Sequence, residues 1–155
     1  MTGPALSVRP AVKGDLPAVL ALYAQPDMDD GRVLALKDAE AIFDRFGRYP
    51  DYILYVAEIG GVIVGSFALL VMDNLGHLGT PSAIVEDVVV DPARHGTGVG
   101  RSMMYFAIEA ARGKGCYKLV LSSNAKRTRA HAFYESLGFE RHGYSFRVLY
   151  ERAAA

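Results

Sequence analysis

The spacing of hydrophobic and polar positions changes several times along the chain, and each change marks an element. Leu6 to Arg9 reads as a short strand stopped by Pro10. Asp15 has the residue type of a helix N-cap, and Leu16, Val19, Leu20 and Tyr23 then recur on one helical face. Gln25 to Arg32 is a polar break, and Lys37 to Phe46 is a second helix ended by Gly47 and Pro50. Tyr52 to Ile59 and Val62 to Val71 are β-rich and meet at Gly60-Gly61, a hairpin signal. Gly65, inside the second of these, marks a bulge or a close packing contact. Asp73 to Pro81 is a loop long enough to form the lip of a site. Ser82 to Val90 is the central strand, and its β-branched Val88, Val89 and Val90 suit a strand covered on both faces.

Gly98 to Lys114 follows as a helix with a buried stripe of Val99, Met103, Phe106, Ala107 and Ala110, stopped by Gly113 and Gly115. Tyr117 to Leu121 is a further strand, and Ser122 to Arg129 a basic loop. Ala130, Phe133, Tyr134 and Leu137 line one face of a short helix closed by Gly138. Phe139 to Tyr150 alternates enough to supply one or two final strands, and Glu151 to Ala155 reads as a frayed tail. The pattern predicts an α/β (α+β) protein. Its mixed, mostly antiparallel, twisted sheet has six to seven strands and is flanked by about four helices. With no repeat and no linker in sight, residues 1–155 read as a single domain.

Composition narrows the partners. Lys plus Arg equals Asp plus Glu at 17 each, so no global charge points to nucleic acid or a membrane, and any anion site is local. The longest uncharged apolar run, Ile59 to Met72, has 14 residues and three glycines, too short to span a bilayer as a helix. Cys116 is the only cysteine and Met1 to Val12 has no apolar signal core, so the expectation is a cytoplasmic protein. His77, His95, His131 and His142 lack metal spacing, and no metal is expected. Cys116 has no base beside it in sequence, which argues against a nucleophilic role.

The chemistry concentrates between Glu86 and Arg101. Gly96, Gly98 and Gly100 remove three Cβ atoms from the turn between a strand and a helix, a geometry that lets backbone N–H groups wrap a phosphate. The spacing is neither the Rossmann fingerprint nor a Walker loop. Arg94, His95 and Arg101 flank it and favour an anion, although a plain flexible turn has the same glycines. Glu86 and Asp87 stand just before it, as acid/base groups or as a solvated strand-end pair. Consecutive strand residues point to opposite faces, so only one of them should face a cleft unless the strand bulges.

The run His95-Gly96-Thr97-Gly98-Val99-Gly100 resembles the acetyl-CoA signature of the GNAT superfamily of N-acetyltransferases, usually Arg/Gln-x-x-Gly-x-Gly/Ala. His95 departs from the leading Arg/Gln, with Arg94 beside it. Val8-Arg9-Pro10-Ala11 followed by Asp15 resembles the superfamily's first strand and helix, and Ala130 to Phe139 its late Ala-x-x-x-Tyr-x-x-x-Gly-Phe block. The resemblance implies a GNAT fold with acetyl-CoA as co-substrate. It implies that the backbone of Val88, Val89 and Val90 pairs with the pantetheine arm and that the turn from His95 through Arg101 holds the pyrophosphate. It also makes Tyr134 the acid that protonates the CoA sulfur, where otherwise it reads as a core aromatic. Asn124 or Arg127 takes the place of a cofactor-contacting asparagine that the family carries nearer this tyrosine. Glu86 is then the base or water-holder, and Asp87 a substrate or structural partner.

The acceptor is expected to be a small primary amine. Ser123 to Arg127 and Ala130 to Tyr134 look similar to aminoalkylphosphonate N-acetyltransferases; Glu86-Asp87 with Gly115 to Lys118 is similar to glucosamine-phosphate N-acetyltransferases. Lys126, Arg127 and Arg129 supply countercharge for a phosphorus oxyanion, or else form a solvated loop. A protein N-terminus or lysine as acceptor, and a non-catalytic CoA-binding module, are the alternatives; a homodimer is left open.

Overall fold

The computed structural model describes residues 3–152, and the last three residues of the expected tail lie outside that range. The strands are β1 (Leu6–Pro10), β2 (Tyr52–Ile59), β3 (Val62–Met72), β4 (Ser82–Val90) and β5 (Leu119–Val120). The helices are α1 (Leu16–Tyr23), α2 (Leu36–Phe46), α3 (Val99–Gly113) and α4 (Thr128–Ser136). Contacts divide the chain into two compact units, Met1–Leu121 and Ser122–Ala155.

In the first unit the five strands lie in the order β1-β2-β3-β4-β5. The first four pair antiparallel, and β5 pairs parallel to β4. The β2–β3 hairpin turns at Gly60 and Gly61, both with positive φ (57° and 83°), as a two-residue turn of that hand requires. Alternation along β2 and β3 feeds two layers of core. Val56 and Ala68 pack with Leu16, Val19 and Leu54 on one face. On the other, Tyr55 stacks on Phe67 at 5.2 Å, and Phe106 of α3 meets both rings edge-on. Met103 and Met104, also on α3, are fully buried.

Asp15 precedes α1 as expected, yet its side chain makes no cap hydrogen bond to that helix. The carboxylate is taken by Arg9, whose guanidinium forks onto it at 2.7 and 3.0 Å and also reaches Glu58 at 2.8 Å. It further accepts the Val12 N–H. Arg9 above all holds the Asp15 carboxyl below its ordinary value.

Both readings of Gly65 hold. The ladder shifts between Ala57↔Gly65 and Glu58↔Ile63, leaving Val64 as an extra residue on β3. A Cβ on Gly65 would lie 2.5 Å from the Met103 sulfur and 3.3 Å from a Val99 methyl. Gly65→Ala should therefore lower stability by about 1–3 kcal/mol, as overpacking does, measured by chemical denaturation.

Among the described residues the sheet has five strands rather than six to seven. Residues 139–150, expected to supply the remaining strands, form none. Alternation alone does not make a strand, which needs a ladder to hold it; Tyr144 and Phe146 are 93% and 90% exposed. β5 is also shorter than the expected Tyr117 to Leu121, keeping regular pairing only at Leu119–Val120.

Candidate active site

The centre of β4 is bulged. Ala68 pairs with Glu86 and Ser66 with Val89, so one residue of β3 faces two of β4, Asp87 and Val88. Asp87 has φ +53°, a conformation a non-glycine residue adopts at a cost of order 1–3 kcal/mol. The bulge breaks side-chain alternation, and Glu86 and Asp87 are both open to solvent. It is the condition under which both carboxylates can serve one cleft.

Both groups are shifted upward. Lost hydration raises the Glu86 carboxyl first, and the negative charge of Asp87 adds to it. Asp87 is raised by lost hydration and then by Asp29. Two phenols share this negative field. Tyr23 and Tyr52 are raised chiefly by burial and next by Asp87. Ser66 beside Tyr23 partly offsets that rise; it is fully buried, and its hydroxyl donates to the Tyr55 carbonyl at 2.8 Å. Tyr23, Tyr52 and Asp29 belong to this region although no sequence motif singles them out. Tyr23 looked like one member of an apolar stripe and Tyr52 like the start of a strand. Only the polar break from Gln25 to Arg32 hinted at Asp29.

β4 is also open along one edge. β5 pairs with it only at Ala83 and Ile84, while β4 runs on to Val90. Past Ile84 no described strand joins that edge. Asp91 N–H donates to the Val64 carbonyl at 2.8 Å, so the alternation of the ladder turns the N–H and C=O of Val90 away from β3. The Val90 carbonyl accepts the Gln25 side-chain amide at 2.9 Å, and His95 Nε2 lies 3.3 Å from it. Val89 is buried and opposite Ser66, which leaves Val88 as the next member of the open edge.

Beyond β4, Asp91 accepts the Ala93 N–H at 3.0 Å and starts a short helical turn, Pro92–Arg94. Gly96 and Gly98 take φ +76° and +92°, and a Cβ on either would meet no atom within 4 Å. Gly98 is the N-cap of the 15-residue α3 and offers no side chain to its free N–H groups. Thr97 spends its hydroxyl on the Arg94 carbonyl. Val99 is buried against the core, and Gly100 and Arg101 lie in the first turn of α3. Arg101 hydrogen-bonds the Tyr105 hydroxyl at 3.3 Å, with its guanidinium 5.9 Å from the ring centre.

In the second unit, Tyr134 sits on α4 with its ring 5.3 Å from Phe133 and 5.7 Å from Phe139. Burial raises its phenol, and the Arg127 charge partly offsets the rise. Asn124 is engaged locally. Its side-chain oxygen accepts the Lys126 N–H at 2.9 Å, and its carbonyl lies 2.8 Å from His131 Nε2. Arg127 is the N-cap of α4. The Ser123 hydroxyl is buried and has no hydrogen-bond partner among the described residues. Among the described residues no group of three or more His, Cys, Asp or Glu could hold a metal ion, and no helix is long and apolar enough to cross a membrane.

Residues 19–139 match the model of the acetyltransferase (GNAT) family. A glucosamine 6-phosphate N-acetyltransferase of Trypanosoma brucei brucei is 40% identical over 57% of this chain, which spans 58% of that relative. An aminoalkylphosphonate N-acetyltransferase of Salmonella typhimurium is 30% identical over 92% of this chain and 90% of its own. A protein of known structure from Agrobacterium tumefaciens superposes with a TM-score of 0.87 at 37% identity, covering 93% of this chain and 99% of the other. The fold, the glycine turn at the head of α3 and these likenesses agree, and the chain belongs to the acetyltransferase (GNAT) family.

Proposed function

We propose that this protein moves an acetyl group from acetyl-CoA to a primary amine of a small molecule. The observation that carries the reading is the bulge at Asp87, which exposes two upshifted carboxylates beside an open strand edge. The residues fit the co-substrate. The turn at Gly96 and Gly98 is open, the N–H groups of the first turn of α3 have no side-chain cap, and β4 offers an unpaired edge at Val88. When bound, acetyl-CoA supplies a thioester carbonyl open to attack.

An aliphatic ammonium, with a pKa near 10.4, must lose a proton before its nitrogen attacks. Glu86 takes that proton directly or through water, and Asp87 holds the acceptor. A backbone N–H near Val88 steadies the oxygen as the C–N bond forms and the C–S bond breaks. Tyr134 gives its proton to the departing sulfur, with Arg127 steadying the phenolate. The relatives named for glucosamine 6-phosphate and aminoalkylphosphonate support an acceptor that pairs an amine with a phosphorus oxyanion. Lys126 and Arg129 are its candidate countercharges.

Mass spectrometry after reaction with acetyl-CoA and such an amine should find the acetyl group on the amine and none on the protein. Acetyl bound at Cys116 would overturn direct attack. His95→Arg should tighten acetyl-CoA binding or leave it unchanged in calorimetry. A large loss would show that the contact to the Val90 carbonyl matters more than added charge at the turn.

A further inference from the structure

α3 carries an exposed aromatic ring just past the glycine turn. The helix buries Val99, Met103, Met104, Ala107 and Ala111 in the core. Arg101 and Tyr105, four residues apart, lie one above the other on its outer face. Tyr105 is 45% exposed. The Arg101 guanidinium donates to its hydroxyl at 3.3 Å and stands 5.9 Å from the ring centre. These two contacts order the ring before any ligand arrives, which lowers the entropy that binding must spend. Farther along the same face Arg112 donates to Glu109 at 2.7 Å, so a polar, self-paired surface resumes there.

The place of the ring points to its ligand. Helical side chains lean toward the N-terminus, so Tyr105 covers the turn that precedes its own Cα. That sets the ring about one turn, about 5 Å, from the N–H groups of the first turn, which have no side-chain cap. In CoA a single ribose separates the diphosphate from the adenine. A diphosphate held by those N–H groups therefore brings the base within reach of Tyr105. An aromatic face with an arginine beside it holds a base by stacking, without reading its edge.

We infer that Tyr105 is the platform on which the adenine of acetyl-CoA stacks, with Arg101 ordering the ring. A guanidinium has five N–H donors, so one bond to the Tyr105 hydroxyl leaves Arg101 others for the diphosphate. The inference rests on the co-substrate reading above and adds the residue that holds the end of the ligand farthest from the thioester.

Calorimetry of the full chain with CoA, dephospho-CoA and phosphopantetheine tests it. Tyr105→Ala should weaken CoA and dephospho-CoA alike, by at least about 5-fold, the loss expected for one stacked base. Phosphopantetheine has no adenine, and its affinity should not change. Tyr105→Phe keeps the ring and should bind CoA nearly as well as the wild type. Unchanged CoA affinity in Tyr105→Ala would overturn the inference and leave the co-substrate reading standing. Equal losses for CoA and phosphopantetheine would mean general damage to α3, and a loss for CoA that dephospho-CoA does not share would mean a contact to phosphate; either overturns it. A wild-type chain that binds neither CoA nor phosphopantetheine would overturn the co-substrate reading itself, and this inference with it.

Discussion

Tyr134→Phe should cut turnover by about 10²–10⁴-fold, the usual worth of a positioned acid, with little change in acetyl-CoA affinity. The substitution keeps the ring contacts to Phe133 and Phe139, so α4 is undisturbed and only the hydroxyl is lost. Burial raises this phenol above its ordinary value, which keeps it protonated at neutral pH. A thiol of pKa about 8.5 is a stronger acid than such a phenol, so the transfer to sulfur is uphill for tyrosine alone. Arg127 lessens that cost by favouring the phenolate. Arg127→Gln should accordingly lower turnover by less than Tyr134→Phe does. Paired turnover and calorimetric measurements check both. Full activity in Tyr134→Phe would remove the tyrosine from the reaction.

Glu86→Gln should lower kcat/KM by a comparable about 10²–10⁴-fold, and Asp87→Asn should separate activity from stability. A base must be ionised to accept a proton, so activity should fall on the acid side. Because both carboxyls are raised, the fall should begin above the ordinary values of about 3.9 and 4.3. The same shift has a stability consequence of definite sign. The folded chain binds the Asp87 proton more tightly than the unfolded chain does. Stability is therefore lost as pH rises from the ordinary aspartate value through the raised one, and the ionised group opposes folding at neutral pH. Asp87→Asn should raise Tm at neutral pH, with the gain fading once the pH is below both values. Asparagine also tolerates positive φ, so the bulge survives the change. A lower Tm at neutral pH would mean that the charge is favourably paired in the fold.

Much of the first unit was legible because local signals agreed with one another. Gly60-Gly61 between two β-rich runs marked the hairpin, and the stripe from Val99 to Ala107 marked α3. The bulge was legible only as a condition. Nothing in Glu-Asp-Val-Val-Val says that Asp87 takes φ +53°, because the extra residue is set by pairing with β3 across the sheet. Tyr23 reads as one member of a helical face, and its place beside Ser66 and in the field of Asp87 depends on tertiary contacts that periodicity does not encode. The misjudged element was Phe139 to Tyr150. Its alternation is genuine, but alternation reports a face to be covered and not which neighbour covers it.

Release of free thiol from acetyl-CoA across a panel of amines tests the central claim most directly. The panel should hold small primary amines with and without a phosphate or phosphonate group, aminosugars, and peptides with a free N-terminus or lysine. Amine-dependent thiol release with small primary amines, strongest for those bearing the phosphorus oxyanion and abolished in Glu86→Gln, is the predicted result. Tight acetyl-CoA binding with no thiol release from any amine would contradict it.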